Sequence, residues 1–182
     1  MTLLYVCPLD HLEETMARSG ARHLVTLAAP GKGIERPASA DDGFLSLEFH
    51  DIAEPRDDLV MARPEQIDQL IQTVRAWHLA PAIVFQCWMG ISRSTASALI
   101  AALALNGGLD AQILARTLRN TAPSATPNPR MISLADETLG LGGELVTAVS
   151  AIGRGSDAFL GTPFHLDLPA IATPSSANTA TA

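Results

Sequence analysis

Lysine is almost missing from this chain: Lys32 is the only one among twelve basic residues, against nineteen acidic ones, for a formal net charge of −7 over 182 residues. Such an acidic balance argues against general binding to nucleic acid or to an anionic membrane surface. The preference for arginine points to a GC-rich, bacterial genome. Cysteine is nearly missing too, with only Cys7 and Cys87. Two thiols are too few for a disulfide scaffold or a cysteine zinc site, and free thiols fit a reducing cytosol. Long apolar runs are also lacking. The most apolar stretch, Ala96 to Leu105, is about half the length needed to cross a bilayer and reads as a buried helix. The opening residues, Met-Thr-Leu-Leu-Tyr-Val-Cys-Pro, have no basic n-region and no long apolar core. No signal peptide is therefore expected, and a cytoplasmic location is.

What is present is enough apolar material for a core. Hydrophobic residues make up 47% and charged residues 17% of the chain, which predicts one folded domain over residues 1–170. The small polar residues from 171 to 182 predict a disordered tail. Strand and helix patterns alternate along the domain. Leu3–Cys7, His23–Leu27, Leu45–His50 and Ala82–Phe85 read as strands, the last as a buried central one. Helices are expected from Leu9 to Arg18, from Pro64, from Arg93 to about Leu105, and after an Asp110 cap. Two more follow, from the Asn128-Pro129 pair to about Leu139, and from Gly143 to Ile152 as the last helix. This pattern predicts an α/β fold of three layers, with a central, mostly parallel, four- to five-stranded sheet flanked by helices.

Chemistry concentrates in Gln86-Cys87-Trp88-Met89-Gly90-Ile91-Ser92-Arg93-Ser94. A strand delivers Cys87 into a tight turn closed by Arg93, and a helix starts immediately after. Ligands of such sheets bind at the carboxyl ends of strands, where this turn lies. An ordinary thiol is only a few per cent thiolate at neutral pH. A helix N-terminus, converging loop N–H groups and an arginine all favour the anion. The same donors suit the equatorial oxygens of a phosphoryl group, and Arg93 can grip two of them at once. The phosphate-binding set is therefore Trp88, Met89, Gly90, Ile91, Ser92 and Arg93. Gly90 allows the backbone to turn without a side chain filling the cradle. Ser94 can donate to the departing thiolate, or can simply cap the helix.

Departure of an alkoxide or phenoxide needs a general acid. Asp51, at the end of a strand, is the preferred candidate, and Asp57 and Asp58 in the looser stretch after Pro55 are the alternatives. Asn128 is read either as a helix cap or as a support for the loop. Cys7 reads as a small buried residue. His50 and His78 have no partner at ligand spacing and read as core or surface residues. No metal ligand set and no cofactor is expected.

Cys87-x5-Arg93-Ser94 with Gly90 resembles the signature loop of cysteine-dependent protein tyrosine phosphatases, notably the small dual-specificity-like and bacterial branches. Phe49-His50-Asp51 followed by Pro55 looks like their acid loop. Thr126-Pro127-Asn128-Pro129 is similar to the Pro-Asn segment that in the family packs against the signature loop. The resemblance covers roughly Leu3 to Leu139. It implies a phosphotyrosine-phosphatase-like fold and hydrolysis of phosphate monoesters through a cysteinyl-phosphate, without metal or cofactor. The substrate would be a phosphorylated protein or a small phosphomonoester, with phosphotyrosine favoured because the loop holds Trp88, Met89 and Ile91 and no lysine. The family usually places histidine before the nucleophile, and this chain has Gln86. That departure keeps open a phosphate-recognising binding module without turnover. A sulfur- or arsenate-handling cysteine enzyme uses the same cradle and is the third reading.

Overall fold

The structure, a computed structural model, describes residues 2–77 and 82–168. His78 and the tail expected over 171–182 lie outside them. Five strands are present: β1 (Thr2–Pro8), β2 (His23–Ala28), β3 (Gly43–Glu48), β4 (Ile83–Cys87) and β5 (Phe164–Leu168). Their order across the single sheet is β3-β2-β4-β1-β5. The first four are parallel to one another, and β5 runs antiparallel on β1. All five residues of β4 are buried, as a central strand covered on both faces requires. Its pairing sets Cys87 level with Pro8 on one side and Leu27 on the other. Cys87 therefore emerges at the carboxyl edge of the sheet's middle.

Among the described residues, six α-helices flank the sheet: α1 (Leu12–Ser19), α2 (Pro64–Ala76), α3 (Arg93–Leu105), α4 (Ala111–Thr121), α5 (Pro129–Leu139) and α6 (Glu144–Ile152). The two faces are covered unequally. Helices α2 to α6 share one large apolar cluster with residues such as Val25, Phe85 and Leu4. The opposite face is covered by α1 and the 29–42 loop, around Leu12, Met16, Leu24 and Val84. Helix α3 is buried almost all round, with Ala96 and Ala98 through Ala102 at 0% exposure. It is the buried helix that its apolar run predicts. None of the described helices is long and apolar enough to cross a membrane.

Helix α6 is the last helix among the described residues, and beyond Ile152, where the sequence offers no reading, the chain returns to add β5 to the sheet. Phe164-His165-Leu166-Asp167-Leu168 alternates apolar and polar side chains, with Leu166 and Leu168 turned into the core and His165 and Asp167 out.

Candidate active site

Cys87 ends β4 almost fully buried, at 2% exposure, with Sγ 3.0 Å from the hydroxyl of Ser94. In the loop that follows, four of the five carbonyls from Trp88 to Ser92 accept hydrogen bonds. Trp88 O accepts from Leu9 N at 3.3 Å, Met89 O from Gly161 N at 2.8 Å, Ile91 O from Thr126 N at 2.9 Å and Ser92 O from Ala96 N at 3.0 Å. Thr95 Oγ1 also donates to Ile91 O and Ser92 O. Among the described residues, no backbone N–H from Trp88 to Ser92 donates a hydrogen bond. A loop with these four carbonyls engaged and its N–H groups unengaged has backbone donors to offer an anion.

Two sequence expectations change in detail. Gly90 has φ +67°, and a Cβ there would lie 2.6 Å from Pro8 N and 3.0 Å from the Cys7 carbonyl carbon. The missing side chain therefore makes room for β1 behind the loop, not for a ligand in front of it, and Gly90 does not line the cavity. The cap position of α3 belongs to Ser92, not Ser94, which lies inside the helix at 0% exposure.

Arg93 begins α3 and is also buried, at 7% exposure. Its Nη1 donates to the carbonyl of Phe49 at 2.8 Å, which fixes the guanidinium plane against the end of β3. Its Nε is buried without a hydrogen-bond partner and stands 4.0 Å from Asp51 Oδ2. A buried charged donor left unpaired is costly. Such an edge is complementary to an oxyanion.

Asp51 reaches the same place from the other side. Ser92 Oγ and Asn128 Nδ2 both donate to its Oδ1, each at 2.7 Å. Asn128 also caps α5, accepting from Met131 N at 3.0 Å through Oδ1, and its backbone N–H donates to Ser92 O of the loop at 3.4 Å. The approach to Asp51 is braced by Gln66, which donates from Nε2 to Glu48 O at 3.0 Å and accepts from Arg63 N at 3.1 Å. His50 closes the base of the loop: its N–H donates to Val60 O at 2.7 Å and its Nδ1 accepts from Val60 N at 2.9 Å. Asp57 and Asp58 sit within that loop and do not line the cavity.

Asp51, Cys87, Ile91, Ser92 and Arg93 face a cavity of about 650 Å³, within the size range of ligand sites. Trp88 and Met89 stand at its mouth, 65% and 36% exposed. Gln86 lies beneath the loop, 4% exposed, and lines a separate 120 Å³ cavity with Lys32, Trp88 and Arg93. No side-chain hydrogen bond joins its amide to the loop among the described residues.

One wall joins Thr126, from the Pro-Asn segment, to Ser124 and residues 154–159, for which the sequence offers no reading. This segment is fastened to the loop by Gly161 N to Met89 O, and a Cβ on Gly161 would stand 2.8 Å from Gly90 O. Its only advance signals are an isolated aromatic, Phe159, and three glycines in a short polar stretch.

No family model and no curated protein matches the chain in sequence. Solved structures do match in shape. DUSP15 superposes with a TM-score of 0.57 at 16% identity, covering 84% of this chain and 91% of its own. Human DUSP28 gives 0.57 at 20% identity, with 76% and 92% covered. A human tyrosine phosphatase-like serine/threonine/tyrosine-interacting protein gives 0.59 at 12% identity, with 76% and 92% covered. In its mixed five-stranded sheet and flanking helices, this chain has the fold of the dual-specificity phosphatases.

Proposed function

We propose that this chain is a phosphatase that hydrolyses phosphate monoesters, phosphotyrosine in proteins foremost, through a cysteinyl-phosphate. One observation carries the reading. The buried Arg93 guanidinium, anchored through Nη1, leaves Nε without a hydrogen-bond partner at a cavity that Cys87 also faces. In the first step the Cys87 thiolate attacks phosphorus and forms the S–P bond. The P–O bond to the leaving group breaks as Asp51 gives that oxygen its proton. Arg93 and the loop N–H groups hold the equatorial oxygens throughout. In the second step Asp51 takes a proton from water, the hydroxide attacks phosphorus, and the S–P bond breaks. Ser94 donates to the departing thiolate from 3.0 Å. Its hydroxyl is close enough to do so without rearrangement.

The test is release of inorganic phosphate from an aryl phosphate with EDTA present. Wild type should turn over, Cys87→Ser should not, and undiminished turnover in that variant would overturn the proposal. Asp51→Asn should lose about 10²–10³-fold in kcat with the alkaline-side fall of the pH profile removed. A profile unchanged in that variant moves the acid role to Asp57 or Asp58. A recognition module without turnover is the second reading. It is favoured by Gln86 at the position before the nucleophile, and by the matching fold of a protein named as phosphatase-like and interacting. It predicts phosphopeptide binding with no trapped phosphocysteine.

A further inference from the structure

Residues 153–161 cross the rim of the cysteine cavity between α6 and β5 and have no part in the chemistry above. They are held at several points. Ser156 N donates to Pro123 O at 2.9 Å, Gly155 N to Thr126 Oγ1 at 3.1 Å and Gly161 N to Met89 O at 2.8 Å. Arg119 grips the upstream end through Gly153 O at 2.7 Å and Ile152 O at 3.4 Å. Downstream, β5 is paired with β1 along its whole length. On this fastened strap Phe159 is 91% exposed, whereas the other four phenylalanines are buried or partly buried. A bare phenyl ring held at the mouth of a cavity, with Trp88 on the same rim, is an apolar surface that folding leaves uncovered. The cavity thus runs from a polar, donor-rich floor at Cys87 and Arg93 to an aromatic rim.

The charges along the lining narrow the ligand further. Arg93 faces Asp51, and Arg154 donates from Nη2 to Asp157 Oδ1 at 2.6 Å. Arg93 serves the first phosphate, and Arg154, the other arginine of the described lining, is matched by Asp157, so the rim offers no unpaired cation for a second phosphate.

We infer that this strap is the ligand-selecting wall of the cavity, with Phe159 and Trp88 holding a flat aromatic group that carries a single phosphate. The inference rests on the phosphate-cradle reading of Cys87 and Arg93 and assigns Phe159 as a specificity-determining residue. Aromatic faces add contact with a ring that an alkyl phosphate cannot match.

The test uses the full chain as Cys87→Ser, which binds without turnover, and three probes measured by calorimetry: tungstate, phosphotyrosine and phosphoserine. Phe159→Ala, at an exposed position that leaves the thermal midpoint unchanged, should weaken phosphotyrosine about tenfold. Tungstate and phosphoserine should move by less than about twofold, since neither reaches the ring. Phe159→Trp should keep the phosphotyrosine affinity. Unchanged phosphotyrosine binding in Phe159→Ala, or an equal loss for all three probes, would overturn the inference while leaving the cradle intact. Failure of both Cys87→Ser and the wild-type chain to bind tungstate would overturn the cradle reading, and this inference with it.

Discussion

Cys7 sits one residue before the point where β1 meets the nucleophile loop, yet its environment is opposite to a reactive site. Burial pushes its thiol up from the ordinary 9.0 to about 12, a hydrogen bond with Thr15 opposes this, and the nearby Cys87 charge adds to it. The folded state therefore keeps a proton that the unfolded chain gives up. Stability from this group is fully present below pH 9.0 and is lost as pH rises from there through about 12. The whole effect is on the order of 4 kcal/mol. Urea midpoints taken from pH 7.5 to 11 should fall more steeply for wild type than for Cys7→Ala, because other alkaline titrations are common to both chains. Parallel curves would show that Cys7 ionises as easily folded as unfolded. At the same scale, His50, which has no partner at ligand spacing in the sequence, accepts from Val60 N. If this bond holds Asp51 in place, His50→Phe should lose about tenfold in kcat with little change in KM, as expected when a proton donor is misplaced. Asn carries an acceptor on the same branch of Cγ, so His50→Asn should recover most of the loss. A His50→Asn variant as slow as His50→Phe would show that ring packing, not the accepted bond, is what matters.

Elements differ in how openly their sequences announce them. The strand, loop and helix around Cys87 are contiguous, so a thiol, a turn and an arginine sit together in sequence as they do in space. Asp51 stands out in sequence as the end of a strand, although β3 stops at Glu48 and Asp51 is held instead by Ser92 and Asn128. Asn128 stands out because an Asn-Pro pair marks a helix start. The same asparagine reaching Asp51 is a contact between segments far apart in the chain, and nothing local reveals it. Residues 153–168 stayed unread for a physical reason. Most of the bonds that fasten the strap come from backbone N–H groups, which any residue but proline supplies, so they leave no mark in composition. Arg119 is the exception, giving four carbonyl contacts from one side chain, but an arginine near a helix end also reads as a dipole partner. β5 has the period of a strand, yet five residues cannot declare which edge they join or in which direction.

Across the whole molecule, the strap is suspended between two anchors of different kinds: the Arg119 grip upstream and the β5 edge strand downstream. β5 is held chiefly by Leu166 and Leu168, each 2% exposed, and by its antiparallel pairing with β1. Edge elements with few buried contacts open before the core does. Leu166→Ala should therefore destabilise the chain by about 2–5 kcal/mol and should also free the strap without full unfolding. Val74→Ala is a fitting control, since Val74 is fully buried in α2, which packs chiefly against α3, α5 and β3. Both variants should lower the urea midpoint with an unchanged slope. Native-state hydrogen exchange then separates them. In Leu166→Ala, the Gly161 amide that bonds Met89 O should exchange far faster than the amides of α3. In Val74→Ala the two should keep their wild-type ratio. Equal ratios in both variants would mean that the strap, the edge strand and the core open as one unit. In that case the rim of the cavity is as rigid as its floor.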